Sequence, residues 1–142
     1  MRKRSETGAL GEALAAKYLA EQGFSVLHRN LRIGHLETDI VCENGEYIVF
    51  AEVKTRRLTG AKTRFGSARD AVDAKKRENL LAFAREYLRA NPTEKRPRID
   101  LLEVYLSREE SPKITWIKNM ASDRPQQLSY AHQCAQPVRR AS

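Results

Sequence analysis

The chain has 142 residues, enough for one domain with a buried core, and a formal net charge of +8. Its residues are 41% apolar and 31% charged, and no apolar run is long enough to cross a membrane. Cys42 and Cys134 are the only cysteines and have no metal-finger spacing, which excludes a zinc finger and a disulfide framework. The positive charge favours an anionic partner such as nucleic acid, and the cysteine usage favours a reducing cytosol.

Hydrophobic periodicity and turn residues predict seven elements in the order αβββαββ. A helix begins near Ser5 or Thr7 and ends before Gly23, whose lack of a side chain suits a left-handed stop. A turn at Gly34 separates the first two strands. The remaining predictions are strands at 24–30, 99–106 and 113–118, a hairpin centred on Asn44-Gly45, and a long helix at 67–90 ended by Asn91-Pro92.

This order predicts an α/β domain in which a mixed sheet is flanked by helices. We assign residues 1–121 to a single domain. Residues 122–142 are rich in Gln, Pro and Arg, and we expect them to form a flexible polar tail.

The sequence of the first predicted helix indicates a buried apolar face and close packing against a neighbouring element. Gly8 and Gly11 lower its helix propensity, which favours close backbone packing at this end. Glu12 lies on the rim of the apolar face, and by position alone it is expected to be solvated. The residues expected to be buried are Leu10, Leu14, Ala15, Tyr18 and Leu19.

Asn44-Gly45 lies between two runs of β-branched and aromatic residues, which predicts a hairpin with a type I′ turn. A two-residue loop at these positions would place Glu43 opposite Glu46 and Glu37 opposite Glu52. Side chains alternate along a strand, so one face of the hairpin would carry an apolar end and a charged end. The shared face would comprise Glu37, Asp39, Val41, Ile48, Phe50, Glu52 and Lys54.

A cluster of carboxylates directly opposite one another destabilises a sheet, so the charged end requires a functional reason. Mg²⁺ or Mn²⁺ provides one, because such ions bind one or two carboxylates together with water and substrate phosphate. Asp39 and Glu52 are the candidate ligands, with the carbonyl of Val53 as a third. Lys54 would orient a water molecule or stabilise charge on a phosphate.

Positive charge is concentrated directly after the hairpin. Residues 54–77 contain nine Lys or Arg and two Asp, a sum of +7 out of the chain's +8. We predict that this segment contacts phosphates, although a solvated helix face is an alternative for Lys75 and Lys76. The predicted nucleic-acid-binding residues are Arg56, Arg57, Lys62, Arg64, Lys75 and Lys76.

Five short motifs together resemble the YraN-like family, small bacterial proteins described as predicted endonucleases distantly related to archaeal Holliday junction resolvases. The resemblance covers about residues 5–106. The motifs are Gly8-x-x-Gly11-Glu12, Asn30-Leu31-Arg32, Glu37-x-Asp39, Phe50-Ala-Glu-Val-Lys-Thr-Arg56 and Arg98-Ile99-Asp100.

The resemblance implies a restriction-endonuclease-like fold, with Asp39, Glu52 and Lys54 in the catalytic signature. It also implies that Glu12 is an active-site carboxylate rather than a solvated charge, and it includes Glu37 as an additional motif residue. Thr38 departs from the superfamily, which often has proline before the first aspartate, but this change removes no metal ligand.

These observations predict a cytoplasmic Mg²⁺- or Mn²⁺-dependent endonuclease that hydrolyses DNA, with branched or damaged DNA as candidate substrates. DNA is favoured over RNA, a membrane partner is not expected, and a homodimer is compatible with the sequence. The alternative is a nucleic-acid-binding module without turnover. For Asp100, an exposed ion pair and a role in the site are both open.

Overall fold

The computed structural model describes residues 5–58 and 74–120 of the chain. The described elements are two helices and five strands in the predicted order αβββαββ. Their bounds are α1 Glu6–Glu21, β1 Ser25–Ile33, β2 Leu36–Glu43, β3 Tyr47–Arg57, α2 Ala74–Ala90, β4 Arg96–Leu106 and β5 Lys113–Ile117. Residues 122–142, predicted to form a tail, lie outside the described residues.

The five strands form one sheet in the order β1-β2-β3-β4-β5. β3 and β4 are parallel, and the other neighbouring pairs are antiparallel. A parallel pair needs a crossover connection, and α2 lies in the segment that joins β3 to β4. The predicted α/β class and the mixed sheet flanked by helices are therefore confirmed.

The helices cover opposite faces of the sheet, because the two core clusters use alternate positions along the same strands. Ala15 and Leu19 of α1 pack in a cluster with Ala51 of β3. Phe83 of α2 packs in the other cluster with Phe50, and their rings meet edge to face at 6.1 Å. We call these the α1 face and the α2 face.

The residues at the two ends of α1 begin and end the helix as predicted. The Ser5 hydroxyl accepts a 2.9 Å hydrogen bond from the Gly8 N–H, which caps the first turn. Gly23 has φ +96° and Gly34 has φ +64°, the left-handed values expected of a helix stop and a tight turn. Leu10 was predicted to be buried, but 48% of its surface is exposed. Gly11 faces the sheet instead. Successive residues of a helix point about 100° apart, so the Leu10 side chain is directed away from the sheet.

The predicted register of the β2–β3 hairpin is wrong by two residues. Glu43 pairs with Ile48, and Ile40 pairs with Ala51. The predicted type I′ turn is also wrong, because Asn44 and Gly45 are not among the described residues with positive φ. The Asn44 side chain provides the reason, since its Oδ1 accepts the N–H groups of Glu46 at 2.9 Å and Tyr47 at 2.7 Å.

Glu37 therefore does not face Glu52. It pairs with Arg32 of β1, and the Arg32 Nη1 lies 3.5 Å from the Glu37 Oε1. A slip of two residues preserves the alternation of faces, so Asp39 and Glu52 still lie on the same face of the sheet.

Candidate active site

The candidate site lies where the ladder between β2 and β3 ends. The last pair of that ladder is Ile40 with Ala51. One residue further, the Asp39 Oδ2 accepts a 2.8 Å hydrogen bond from the N–H of Val53. A side chain thus replaces the backbone partner at this point, and this bond fixes the Asp39 carboxyl beside β3.

Glu52 contributes a second carboxylate from β3. The residue is only 8% exposed, and its Oε2 lies 3.2 Å from the Nζ of Lys76 on α2. Asp39, Glu52 and Lys76 line a cleft of about 130 Å³, together with His35, Leu36, Glu37, Asn79 and Leu80. A carboxylate pair and an ammonium group thus share one polar cleft.

Glu12 approaches Asp39 from α1. Only 7% of Glu12 is exposed, so the solvated position expected from the helical pattern alone is wrong. The reason is close packing one residue earlier. An alanine side chain at Gly11 would collide with Thr55 of β3, whose Cβ and Cγ2 would lie 2.9 Å away. The missing side chain lets α1 rest directly on β3. This contact brings Glu12 close enough to Asp39 for its charge to act on the Asp39 carboxyl group.

Burial and neighbouring charges both act on the Asp39 carboxyl group. The pKa of Asp39 is raised from 3.8 to about 7, with burial as the largest cause and the Glu52 charge as the second. The Val53 N–H lowers this pKa, the Glu12 charge raises it, and the Lys76 charge lowers it. A carboxyl group whose pKa is raised by burial and then by neighbouring carboxylates is typical of a functional site.

The donor set fits a hard divalent cation. Mg²⁺ needs one or two protein carboxylates and completes its shell with water and phosphate oxygens. Asp39 and Glu52 supply such a pair. The carbonyl of Val53 points to the same edge of β3 as its N–H, and therefore toward Asp39. Within residues 5–58 and 74–120, no group of three or more His, Cys, Asp or Glu side chains is arranged to hold a metal ion.

The other predicted site residues are distributed over both faces of the sheet. Lys54 is exposed, on the face of Glu52, and outside the lining of the cleft. Arg56 is on that face too, and its Nε donates to the Glu103 Oε2 at 3.1 Å. Arg57 points to the α1 face, where its Nη2 donates to the Thr7 hydroxyl at 2.9 Å. Lys75 is exposed on α2, and Lys62 and Arg64 lie outside the described residues.

Lys76 was predicted only as a phosphate contact, yet it lies in the cleft itself. No pattern in the sequence relates it to Glu52, because the two residues are brought together by the crossover from β3 to α2. Its side chain is 38% exposed, so it is partly accessible to solvent.

Asp100, for which a site role was open, has a structural role. It is fully buried on the α1 face, away from Glu52. Its carboxylate accepts hydrogen bonds from Arg98 Nε at 3.0 Å, Arg98 Nη2 at 2.9 Å, Trp116 Nε1 at 2.8 Å and the Asn119 N–H at 2.9 Å. These bonds hold β5 and the turn that follows it against β4.

Within the described ranges, neither helix is long and apolar enough to cross a membrane.

The chain shows similarity to a solved structure, Archaeoglobus fulgidus Hjc, described as a Holliday junction resolvase from an archaeal hyperthermophile. The TM-score is 0.47 and the identity 17%, covering 84% of this chain and 83% of that one.

Protein-family comparison gives a clear result. The model described as "Uncharacterised protein family UPF0102" matches residues 11–104. A UPF0102 protein of Dehalococcoides mccartyi is 42% identical over 117 residues, which cover 82% of this chain and 93% of the relative. A UPF0102 protein of Solibacter usitatus is 43% identical over 114 residues, covering 78% and 82%. The matched span includes Glu12, Asp39 and Glu52, and the chain belongs to UPF0102, the YraN-like family whose motifs it carries.

Proposed function

We propose that this protein is a metal-dependent endonuclease that hydrolyses phosphodiester bonds in DNA, with branched or damaged DNA as its substrate class. The observation that carries the proposal is that Asp39 and Glu52 line one polar cleft while the Glu12 charge acts on Asp39 from α1, with the pKa of Asp39 raised to about 7. Burying like charges together costs stability, and such a cost is typical of a site retained for chemistry.

The carboxylates of Asp39 and Glu52 would hold Mg²⁺ or Mn²⁺. When bound, the cation would neutralise charge on the scissile phosphate and favour ionisation of the attacking water. The Val53 N–H holds the Asp39 Oδ2 at 2.8 Å, so the Oδ1 is the oxygen that would bind a ligand. This preorganisation reduces the rearrangement required when substrate enters.

The remaining side chains would move protons and balance charge. Glu12 is close enough to raise the Asp39 pKa, and it would accept a proton from a water molecule bound beside Asp39. Lys76 is in contact with Glu52 and would turn toward a phosphate oxygen once a cation replaces it there. Lys54 would add positive charge from the exposed strand beyond Glu52.

Nucleic acid as the partner is supported by charge. The chain carries +8 overall, and the described part of its basic segment includes Lys54 and Arg56 on the face of the carboxylates. Such positive charge attracts phosphates without sequence preference. A reducing cytosol is part of the proposal, and the buried free thiol of Cys42 is compatible with it.

The test is cleavage of a panel of four-way junctions, flaps, single strands and duplexes with Mg²⁺ or Mn²⁺. Asp39→Asn and Glu52→Gln keep the side-chain shapes and should abolish cleavage while leaving DNA binding nearly unchanged, because phosphate contacts lie mostly elsewhere. Glu46→Gln is the matched control, since Glu46 is exposed in the hairpin turn, and it should cut like the wild type.

Full cleavage by Asp39→Asn or Glu52→Gln would reject the assignment of the metal ligands. If the wild type binds these DNAs but cuts none of them, the protein is a nucleic-acid-binding module instead.

A further inference from the structure

A second charged cluster lies on the α2 face, further along β3 and β4 than the carboxylate cleft. The side chain of Glu103 on β4 is only 1% exposed. Its Oε2 accepts the Arg56 Nε at 3.1 Å, and its Oε1 accepts the Tyr105 hydroxyl at 2.7 Å. Each oxygen of this carboxylate thus has its own donor.

The cluster is a costly way to stabilise a sheet. Removing a carboxylate and a guanidinium from water costs several kcal/mol, and apolar residues of similar volume often serve stability better. Burial and the bond to Glu103 also raise the pKa of Tyr105, so the hydroxyl keeps the proton that it donates. The arrangement therefore suggests that holding Arg56 in one orientation has a function of its own.

The orientation of Arg56 is suited to binding an anion. The bond to Glu103 uses Nε, and the guanidinium is a planar fork with donors on two further nitrogens. Those terminal nitrogens can bind a phosphate in the bidentate manner that distinguishes arginine from lysine. The side chain is 27% exposed, so it is partly accessible to a ligand.

The position of Arg56 relates this cluster to the cleft. Every second residue of β3 points to the same face, and Glu52, Lys54 and Arg56 are three such residues. Successive members are therefore about 7 Å apart along the strand. This spacing resembles that of successive phosphates along a nucleic-acid strand. A strand whose scissile phosphate lies at Glu52 could then place neighbouring phosphates at Lys54 and Arg56.

We propose that Arg56 is a phosphate clamp for the strand entering the cleft, and that Glu103 and Tyr105 are positioning residues that hold its guanidinium. This inference rests on the proposed function, since it assumes that the ligand is nucleic acid. It assigns to Glu103 and Tyr105, which the sequence motifs do not single out, a role in binding substrate.

The test is binding of a fluorescein-labelled DNA duplex in EDTA, measured by anisotropy over a range of salt concentrations. Arg56→Gln should weaken binding roughly tenfold and reduce the log–log salt slope by about 0.9, the value for one phosphate contact on B-DNA. Arg89→Gln is the matched control. It removes the same charge from an exposed side chain at the far end of α2 and should leave the slope unchanged.

Glu103→Gln separates positioning from overall charge. It makes the protein more positive by one, so simple electrostatic attraction predicts tighter binding. Loss of a fixed Arg56 predicts binding weaker by roughly threefold to tenfold instead. Tyr105→Phe leaves the net charge unchanged and should weaken binding in the same direction by a smaller factor. Tyr105→Phe also tests the positioning role if Glu103→Gln does not fold. Thermal unfolding of each protein identifies the temperatures at which it is folded, and binding is measured there.

If Glu103→Gln and Tyr105→Phe bind as tightly as the wild type or more tightly, the positioning role is rejected. If Arg56→Gln keeps the wild-type slope, the clamp is rejected as well. Failure of the wild type to bind any nucleic acid would instead overturn the proposed function on which the inference rests.

Discussion

The Nζ of Lys76 lies 3.2 Å from the Oε2 of Glu52, so the ammonium of α2 is already bound to one of the two carboxylates proposed to hold a cation. The same ammonium lowers the pKa of Asp39. In the absence of a divalent ion, Lys76 therefore compensates part of the charge that such an ion would neutralise. This relationship makes the lysine a competitor for the site as well as a candidate participant in it.

Replacing Lys76 with glutamine should increase the affinity for Mn²⁺, measured by isothermal titration calorimetry without nucleic acid. The reason is that Glu52 would lose its ion pair and the carboxylates would be left with less compensating charge. The same variant should cleave more slowly, because the charge near the phosphate is lost. Lys75→Gln is the matched control, since it removes an equal charge from the exposed neighbouring position. Equal Mn²⁺ affinity in the two variants would contradict the competition.

The stability of the protein should depend on pH through Asp39. Its pKa is about 7 in the folded protein and 3.8 ordinarily, so the folded state retains a proton that the unfolded chain releases. The free energy of unfolding should therefore fall as the pH rises from about 4 to about 7, and this contribution should then level off. Urea unfolding in EDTA across this range measures the effect.

Asp39→Asn is the comparison for this pH dependence. Its amide oxygen can still accept the Val53 N–H, but it has no proton to lose. The variant should lack the Asp39 part of the decline and should be more stable than the wild type above neutral pH. Parallel curves for the two proteins would show that the carboxyl group ionises normally.

Asp100→Asn should destabilise the fold without altering the candidate site. A fully buried carboxylate that accepts four hydrogen bonds cannot be replaced without loss, and breaking its pair with Arg98 should cost roughly 3–5 kcal/mol. Affinity for Mn²⁺ should stay at the wild-type value at temperatures where the variant is folded, because Asp100 lies on the opposite face of the sheet. Glu110→Gln, which disrupts an exposed ion pair with Lys113, should cost under about 1 kcal/mol. Weakened Mn²⁺ binding in folded Asp100→Asn would restore a site role.

The pairing of Asp39 and Glu52 on one face could be predicted from the sequence even though the turn was misassigned. Alternation along a strand has a period of two, and the actual register differs from the predicted one by two residues. The error arose because Asn44-Gly45 is a strong type I′ signal, whereas Asn44 instead uses its side chain to close the turn. The face was therefore correct, and the facing partners were not.

The contacts that depend on the crossover from β3 to β4 could not be predicted from the sequence. Lys76 meets Glu52 only because α2 returns across the sheet, and Glu103 meets Arg56 only through the parallel register of β3 and β4. Periodicity reports which side of an element is buried but not what lies opposite it. Glu12 illustrates the same limit, because its helical position alone indicated a solvated charge and only the family resemblance predicted a site role for it.

The contact between Gly11 and Thr55 joins the fold to the site. It sets how closely α1 rests on β3, and Glu12 follows Gly11 directly in the chain. In an open helix, glycine to alanine would stabilise by up to about 1 kcal/mol. Here the new side chain would meet the Cβ of Thr55 at 2.9 Å, and a Cβ cannot rotate away because it is attached to the backbone.

Gly11→Ala should therefore be destabilising overall, because overpacking in a tight contact costs about 1–3 kcal/mol. The helix must move outward to accommodate the new side chain. Glu12 would move with it, so the part of the Asp39 pKa rise that the Glu12 charge causes should shrink. Thermal unfolding measures the first effect, and the pH dependence of unfolding measures the second. Gly45→Ala is the matched control, since it has no atom within 4 Å of the new side chain and should leave both measurements unchanged. A Gly11→Ala protein with wild-type stability and pH dependence would show that this contact does not determine the position of Glu12.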